Sequence, residues 1–185
     1  PWPLQRGLGR LVGRFLHALL RDRRRVAERN IALCFPQLDA AQQASLVYRS
    51  FSELGIGLFE FARAWWGSVQ PMRRDRRVEG LEHLEAARAG ERGVIVISGH
   101  FTTLEIAARL MCDFAPLAGM YRPHDQGAVE WAVRCARARS AAAIFPTQDV
   151  SGAVRHLKKA GLLWYAPHQA PSRAHAGVVA FLGLL

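Results

Sequence analysis

From Pro71 onward, short apolar runs alternate with segments of helical spacing, and that alternation narrows the possible folds more than any other feature of the chain. The runs are a short one opening at Val78, then Val94–Ser98, Leu117–Tyr121, Ala142–Phe145, Leu162–Ala166 and Val178–Leu182. Between them lie Glu82–Arg88, Thr103–Cys112, Ala128–Ala138 and Val150–Lys159. Strands separated by helices of this length cannot close as hairpins, so they line up in parallel while each helix crosses back over a sheet face. The expected class is α/β, a mostly parallel sheet with helices on both faces. Val94 to Ile97 contains no polar residue, which reads as a buried strand.

The N-terminal third is helical instead. Leu4–Leu20 spaces Leu8, Leu11, Val12, Phe15, Leu16 and Leu19 as one stripe, with Arg6, Arg10, Arg14 and His17 on another face, and Arg21 to Arg25 follow. Such a basic amphipathic helix suits the surface of an anionic membrane, and it equally suits a helix that buries its apolar stripe in a core and solvates its arginines. Val26–Leu33 continues as helix, Asp39 caps Ala40–Phe51, and Ile56–Trp66 is a further helix in which Phe59, Phe61, Trp65 and Trp66 supply bulk. The organisation is one domain over 1–185, with 1–70 a helical, membrane-proximal region packed on an α/β core at 71–185. Because the chain starts Pro-Trp-Pro and stops on Phe181-Leu182-Gly183-Leu184-Leu185, the core is expected to be incomplete at its C-terminus.

With 185 residues, half of them hydrophobic, the chain can bury one real core. The formal net charge of +10 favours anionic partners, lipid head groups or an acidic protein among them. No nucleic-acid-binding motif or interleaved aromatic strand accompanies that charge, so nucleic acid is not expected. Cys34, Cys112 and Cys135 lie far apart without a Cys-x-x-Cys pair, which points to reduced packing residues and to no metal site. No uncharged stretch reaches the roughly 20 residues that span a bilayer.

Chemistry concentrates at Gly93–Glu105, GVIVISGHFTTLE. The strand stops at Ser98-Gly99, and Thr-Thr-Leu-Glu reads as a helix start, so His100 sits where open α/β sheets place ligands. On one continuous helix a spacing of five would set His100 and Glu105 about 140° apart. The junction at Gly99 is expected to bring them together as a general-base dyad, in which the carboxylate fixes the imidazole tautomer and the other ring nitrogen takes a proton from a hydroxyl. Arg122, held out of a helix by Pro123, ends the next strand and can fork onto a phosphate or a carbonyl. Arg134, Arg137 and Arg139 read as a solvated helix face.

These residues fall in an ordered set: RNIALCFP at Arg29–Pro36, VEGLEHLEAA at Val78–Ala87, GVIVISGHFTTLE, YRP at Tyr121–Pro123 and LLWYAPHQ at Leu162–Gln169. Together they resemble the bacterial lipid A biosynthesis lauroyl/myristoyl acyltransferases, with their His-x4-Asp/Glu motif, over nearly the whole chain. The resemblance implies catalytic roles for His100 and Glu105 and substrate contacts from Tyr121, Arg122 and Gln169. It also implies transfer of a fatty acyl chain from acyl carrier protein or acyl-CoA to a hydroxyl of a lipid A precursor, at the cytoplasmic face of the inner membrane. The attack is direct, with no acyl-enzyme and no cofactor or metal, and anionic lipid and the carrier protein are the implied partners. His168 and Ala170 stand where the family carries aspartates, Ser151 replaces its basic residue, and Ala180 interrupts its Val-Pro-Phe. Those departures leave open another glycolipid or amino-acid lipid acceptor, or a non-catalytic paralogue that only binds membrane or carrier.

Overall fold

The computed structural model describes residues 2–167, which form two compact units, one from the N-terminus to Phe59 and one over Glu60–Pro167. The first unit contains α1 (Trp2–Leu19), α2 (Arg21–Cys34) and most of α3 (Ala40–Trp66). Asp39 and Gln42 exchange side-chain-to-backbone hydrogen bonds at 2.8 and 3.0 Å, a reciprocal cap that starts α3. The two helices expected over Ala40–Phe51 and Ile56–Trp66 are one. Gly55 does not break it, because α1 crosses there with backbone almost touching backbone: a Cβ at Gly55 would lie 2.5 Å from the Gly13 nitrogen, and one at Gly9 would lie 2.7 Å from Ile56 Cα. Val47, Phe51 and Ile56 form the buried part of this unit, with His17 edge-on to Phe51 at 5.3 Å.

That glycine contact turns α1 the unexpected way round. Gly9 and Gly13 are its buried residues, while Leu4, Leu8, Leu11, Phe15 and Leu19 are 43–64% exposed. Were α1 an ordinary core helix, its leucines would face inward; here small residues face inward and the apolar stripe faces out. None of the described helices is long and apolar enough to cross a membrane.

The second unit is the α/β part. Its strands are β1 (Val94–Ile97), β2 (Leu117–Tyr121), β3 (Ala143–Pro146) and β4 (Leu162–Tyr165), all parallel in the order β1-β4-β2-β3. The helices are α4 (Gln70–Asp75), α5 (Leu81–Ala89), α6 (Leu104–Met111), α7 (Gly127–Arg137) and α8 (Val150–Lys158). Leu117, Leu162, Val94, Val96 and Trp164 face Leu84 of α5 and Met111 of α6, whereas Ala118 and Leu163 face Ala153 and Leu157 of α8. The chain therefore steps from β1 to β2 with α6 on one face and returns from β3 to β4 with α8 on the other, as right-handed crossovers require.

The parallel α/β class with helices on both faces is thus the observed one, and four of the expected strands are present. Two readings need correction. Val78 opens no strand, since it sits in extended chain before Gly80, whose φ of +79° starts α5 in the left-handed region. β1 is not buried on both sides: it is an edge strand of the described sheet, and Ile95 and Ile97 are exposed on one face. The strand expected at Val178–Leu182 lies outside the described residues.

Candidate active site

His100 occupies the loop between β1 and α6, at the carboxyl end of the sheet. Parallel pairing of β1 with β4 carries this loop alongside the end of β4: Ser98 N donates to Tyr165 O at 3.0 Å, and His100 Nε2 lies 2.8 Å from Pro167 O. A carbonyl oxygen only accepts, so this bond puts the proton on Nε2 and leaves Nδ1 with its lone pair. The ring is exposed.

Glu105 lies in the first turn of α6, where a carboxylate complements the helix dipole. His100 and Glu105, expected within hydrogen-bond reach or one water apart, share no direct hydrogen bond. The carboxylate is instead gripped by two other groups: Trp65 Nε1 donates to Oε2 at 2.8 Å, and Arg137 engages both oxygens, Nε to Oε2 at 3.3 Å and Nη2 to Oε1. A forked guanidinium and an indole satisfy the carboxylate more completely than one imidazole can. His100 begins outside the helix, so the pull of Pro167, not helical phase, sets its direction.

Arg137 is therefore not on a solvated helix face. Its side chain is only 12% exposed, it lies one turn beyond the buried Val133 on α7, and its guanidinium stands 5.0 Å over the Tyr121 ring and 5.8 Å from that of Trp65. Its position on the stripe defined by Val133 and Ala136 is the signal that distinguishes it from the exposed Arg134 and Arg139. Trp65, expected as bulk, is indeed buried among Ala64, Val69, Ile106 and Ala136, and additionally orients Glu105.

Tyr121 ends β2. Its hydroxyl donates to Glu130 Oε1 at 2.5 Å, and burial, reinforced by that carboxylate, pushes the phenol up to about 12. Arg122 follows it, exposed and without a hydrogen bond or ion pair among the described residues. Ser151 is exposed on α8, 3.3 Å from the capping Asp149. Gln169, with His168 and Ala170, lies outside the described residues.

Glu105, Arg137, Tyr121 and Trp65 share the wall of a cavity of about 90 Å³ that runs between α6 and the sheet. The rest of its lining is mainly apolar: Leu104, Ala108 and Cys112 from α6, Leu117 from β2, Ile144 from β3 and Trp164 from β4. Gly119 forms part of the floor, and a side chain there would meet nothing within 4 Å, so the missing Cβ leaves open space in mid-sheet. Arg137 Nη1 and Trp164 Nε1 are buried with no acceptor among the described residues. The site thus joins a hydrocarbon-lined cavity to a fixed carboxylate–guanidinium pair, with an accessible imidazole on the neighbouring loop. Among the described residues no group of His, Cys, Asp and Glu is arranged to hold a metal ion.

The sequence model for "Bacterial lipid A biosynthesis acyltransferase" matches residues 1–184. The chain is 32% identical to the lipid A biosynthesis lauroyltransferase of Escherichia coli K12 over 167 residues, covering 90% of this chain and 55% of that protein. It is 33% identical to the lipid A biosynthesis palmitoleoyltransferase of the same organism over 184 residues, covering 100% and 60%. A lipid A biosynthesis acyltransferase of Haemophilus influenzae is 30% identical, with 100% and 59% covered. The chain spans little more than half the length of these curated relatives.

Proposed function

The chain belongs to the bacterial lipid A biosynthesis acyltransferase family, and from that membership we propose that the protein moves a fatty acyl chain from a thioester to a hydroxyl of a lipid A precursor. The observation that carries this reading is the apolar cavity with Glu105 and Arg137 in its wall, which at about 90 Å³ admits the first few carbons of an acyl chain beside charged groups at the sheet's carboxyl end. His100 Nδ1 takes the proton of the acceptor hydroxyl. The oxygen attacks the thioester carbonyl, a C–O bond forms, the C–S bond breaks, and the departing thiolate recovers the proton from the imidazolium. Arg137, whose Nη1 has no acceptor among the described residues, supplies the positive charge that stabilises the developing oxyanion, while Glu105 and Trp65 hold the guanidinium in place. Glu105 so acts through Arg137 rather than through His100.

The donor we assign is acyl carrier protein, an acidic partner that a chain of net charge +10 attracts, with acyl-CoA as the other thioester source. The protein works at the cytoplasmic face of the inner membrane, where the outward stripe Leu4, Leu8, Leu11, Phe15 and Leu19 enters the interface beside Arg6 and Arg10. The departures at Ser151, His168 and Ala170 favour a second reading, a family member that binds membrane and carrier without turnover.

Acyl transfer from acyl carrier protein to a lipid A precursor, measured with full-length protein, separates the two. Wild type should be active and His100→Ala should lose about 100- to 10,000-fold, the range for removing a general base. Retention of most activity in His100→Ala overturns the mechanism. A silent wild type that regains turnover on Ala170→Asp with His168→Asp establishes the second reading.

A further inference from the structure

We propose that Glu130 is a positioning residue: it locks the segment Tyr121–His124 so that Arg122 stands at the cavity rim, placed to bind an anionic group of the acceptor. The inference rests on the acyl-transfer reading given above. Glu130 sits in the first turn of α7, where a carboxylate ordinarily complements the helix dipole or pairs with a base one turn on. Here both oxygens reach out of the helix instead. Oε1 accepts from the Tyr121 hydroxyl at 2.5 Å, and Oε2 accepts from the His124 backbone N–H at 3.0 Å. These donors lie on either side of Arg122-Pro123, so one carboxylate closes a bracket around that pair. Pro123 adds its own fixed φ and biases Arg122 towards extended backbone. On the inner side, the Tyr121 ring is held by the Arg137 guanidinium at 5.0 Å and forms part of the cavity wall.

Arg122 is thus anchored through its neighbours on both sides, while its guanidinium is exposed and takes no partner among the described residues. Other arginines of this unit are spent on carboxylates: Arg73 and Arg76 on Asp113, and Arg137 on Glu105. A guanidinium whose backbone is already fixed loses less freedom when a ligand arrives, and its fork matches the oxygens of a phosphate or carboxylate. Arg122 does not itself line the cavity. It therefore meets a part of the acceptor that stays outside the cavity. Binding of that kind is the same in the ground and transition states, so it appears in KM and not in kcat.

The test is a double-mutant cycle on full-length protein, with acyl transfer from acyl carrier protein to a lipid A precursor measured for wild type, Glu130→Gln, Arg122→Ala and the double variant. Glu130→Gln should raise KM for the acceptor about 10-fold, as expected when a charged hydrogen-bond acceptor is lost, and change kcat and the donor KM by less than about 2-fold. In the Arg122→Ala background the same change should alter the acceptor KM by less than about 2-fold, because Glu130 then has no cation left to place. Equal losses in both backgrounds, or a fall in kcat accompanied by a lowered urea midpoint, mark a merely structural Glu130 and overturn the proposal while acyl transfer stands. An unchanged acceptor KM in Glu130→Gln or in Arg122→Ala also overturns it. Should wild type not turn over, the acyl-transfer reading fails by itself, and the same cycle read as Kd for the precursor decides the positioning role; absence of precursor binding overturns both. Should Glu130→Gln not fold, Tyr121→Phe keeps the ring, removes one arm of the bracket from its other end, and takes its place in the cycle.

Discussion

Replacing Glu105 by Leu should destabilise the α/β unit far more than losing one partly exposed carboxylate would suggest. Two donors are stranded by the change. The Arg137 guanidinium, 12% exposed, loses the carboxylate it is paired with, and the buried Trp65 indole loses its acceptor. Breaking a buried ion pair costs about 3–5 kcal/mol; with Glu105 itself 25% exposed, the lower end applies, about 3 kcal/mol. The unsatisfied indole adds about 1 kcal/mol. A total of about 4 kcal/mol, against a urea slope of about 2 kcal/mol per molar, moves the unfolding midpoint down by about 2 M. Replacing the partner as well, Glu105→Leu with Arg137→Met, removes the orphaned cation and should recover all but about 1–2 kcal/mol. Urea unfolding of wild type, both single variants and the double variant gives the coupling directly. A double variant no more stable than Glu105→Leu, or a single-variant cost below about 1 kcal/mol, would show that the pair is not the brace described here.

The second and third predictions concern charge elsewhere. Asp113 accepts from Arg73 at 2.6 and 2.8 Å and is also bonded by Arg76, with Arg109 at 3.5 Å; chiefly the Arg73 hydrogen bonds hold its carboxyl at about 2, below the usual 3.8. A depressed folded value means that the stabilisation is complete above pH about 4 and is lost as pH falls towards about 2, so stability measured across that window should decline in wild type and decline less steeply in Asp113→Asn. On anionic vesicles, changing Leu8, Leu11 and Phe15 to Ser should weaken binding at any salt concentration, because apolar burial at about 25 cal/mol per Å² is lost. Changing Arg6, Arg10 and Arg14 to Gln should weaken it mainly at low ionic strength; co-sedimentation that survives both triple changes refutes α1 as the contact surface.

Local sequence determined the elements. The alternation after Pro71 contains the helix and strand periods of the α/β unit, and it placed His100 at a strand-to-helix junction, because apolar runs and helix starts are encoded over a few adjacent residues. Helix capping was equally local at Asp39. What partners each side chain takes depends instead on which strands lie next to each other, and no local pattern states that. Placing β4 between β1 and β2 gave His100 the Pro167 carbonyl, across 67 residues, and made β1 an edge. Packing α6 against α7 and the end of α3 gave Glu105 to Arg137 and Trp65, 32 and 40 residues away, in place of the histidine five residues before it. The same holds for α1, whose apolar stripe was plain from its spacing. Its outward direction was decided by Gly9, Gly13 and Gly55, since only there can two helix backbones meet so closely, and that contact is made between residues more than 40 positions apart.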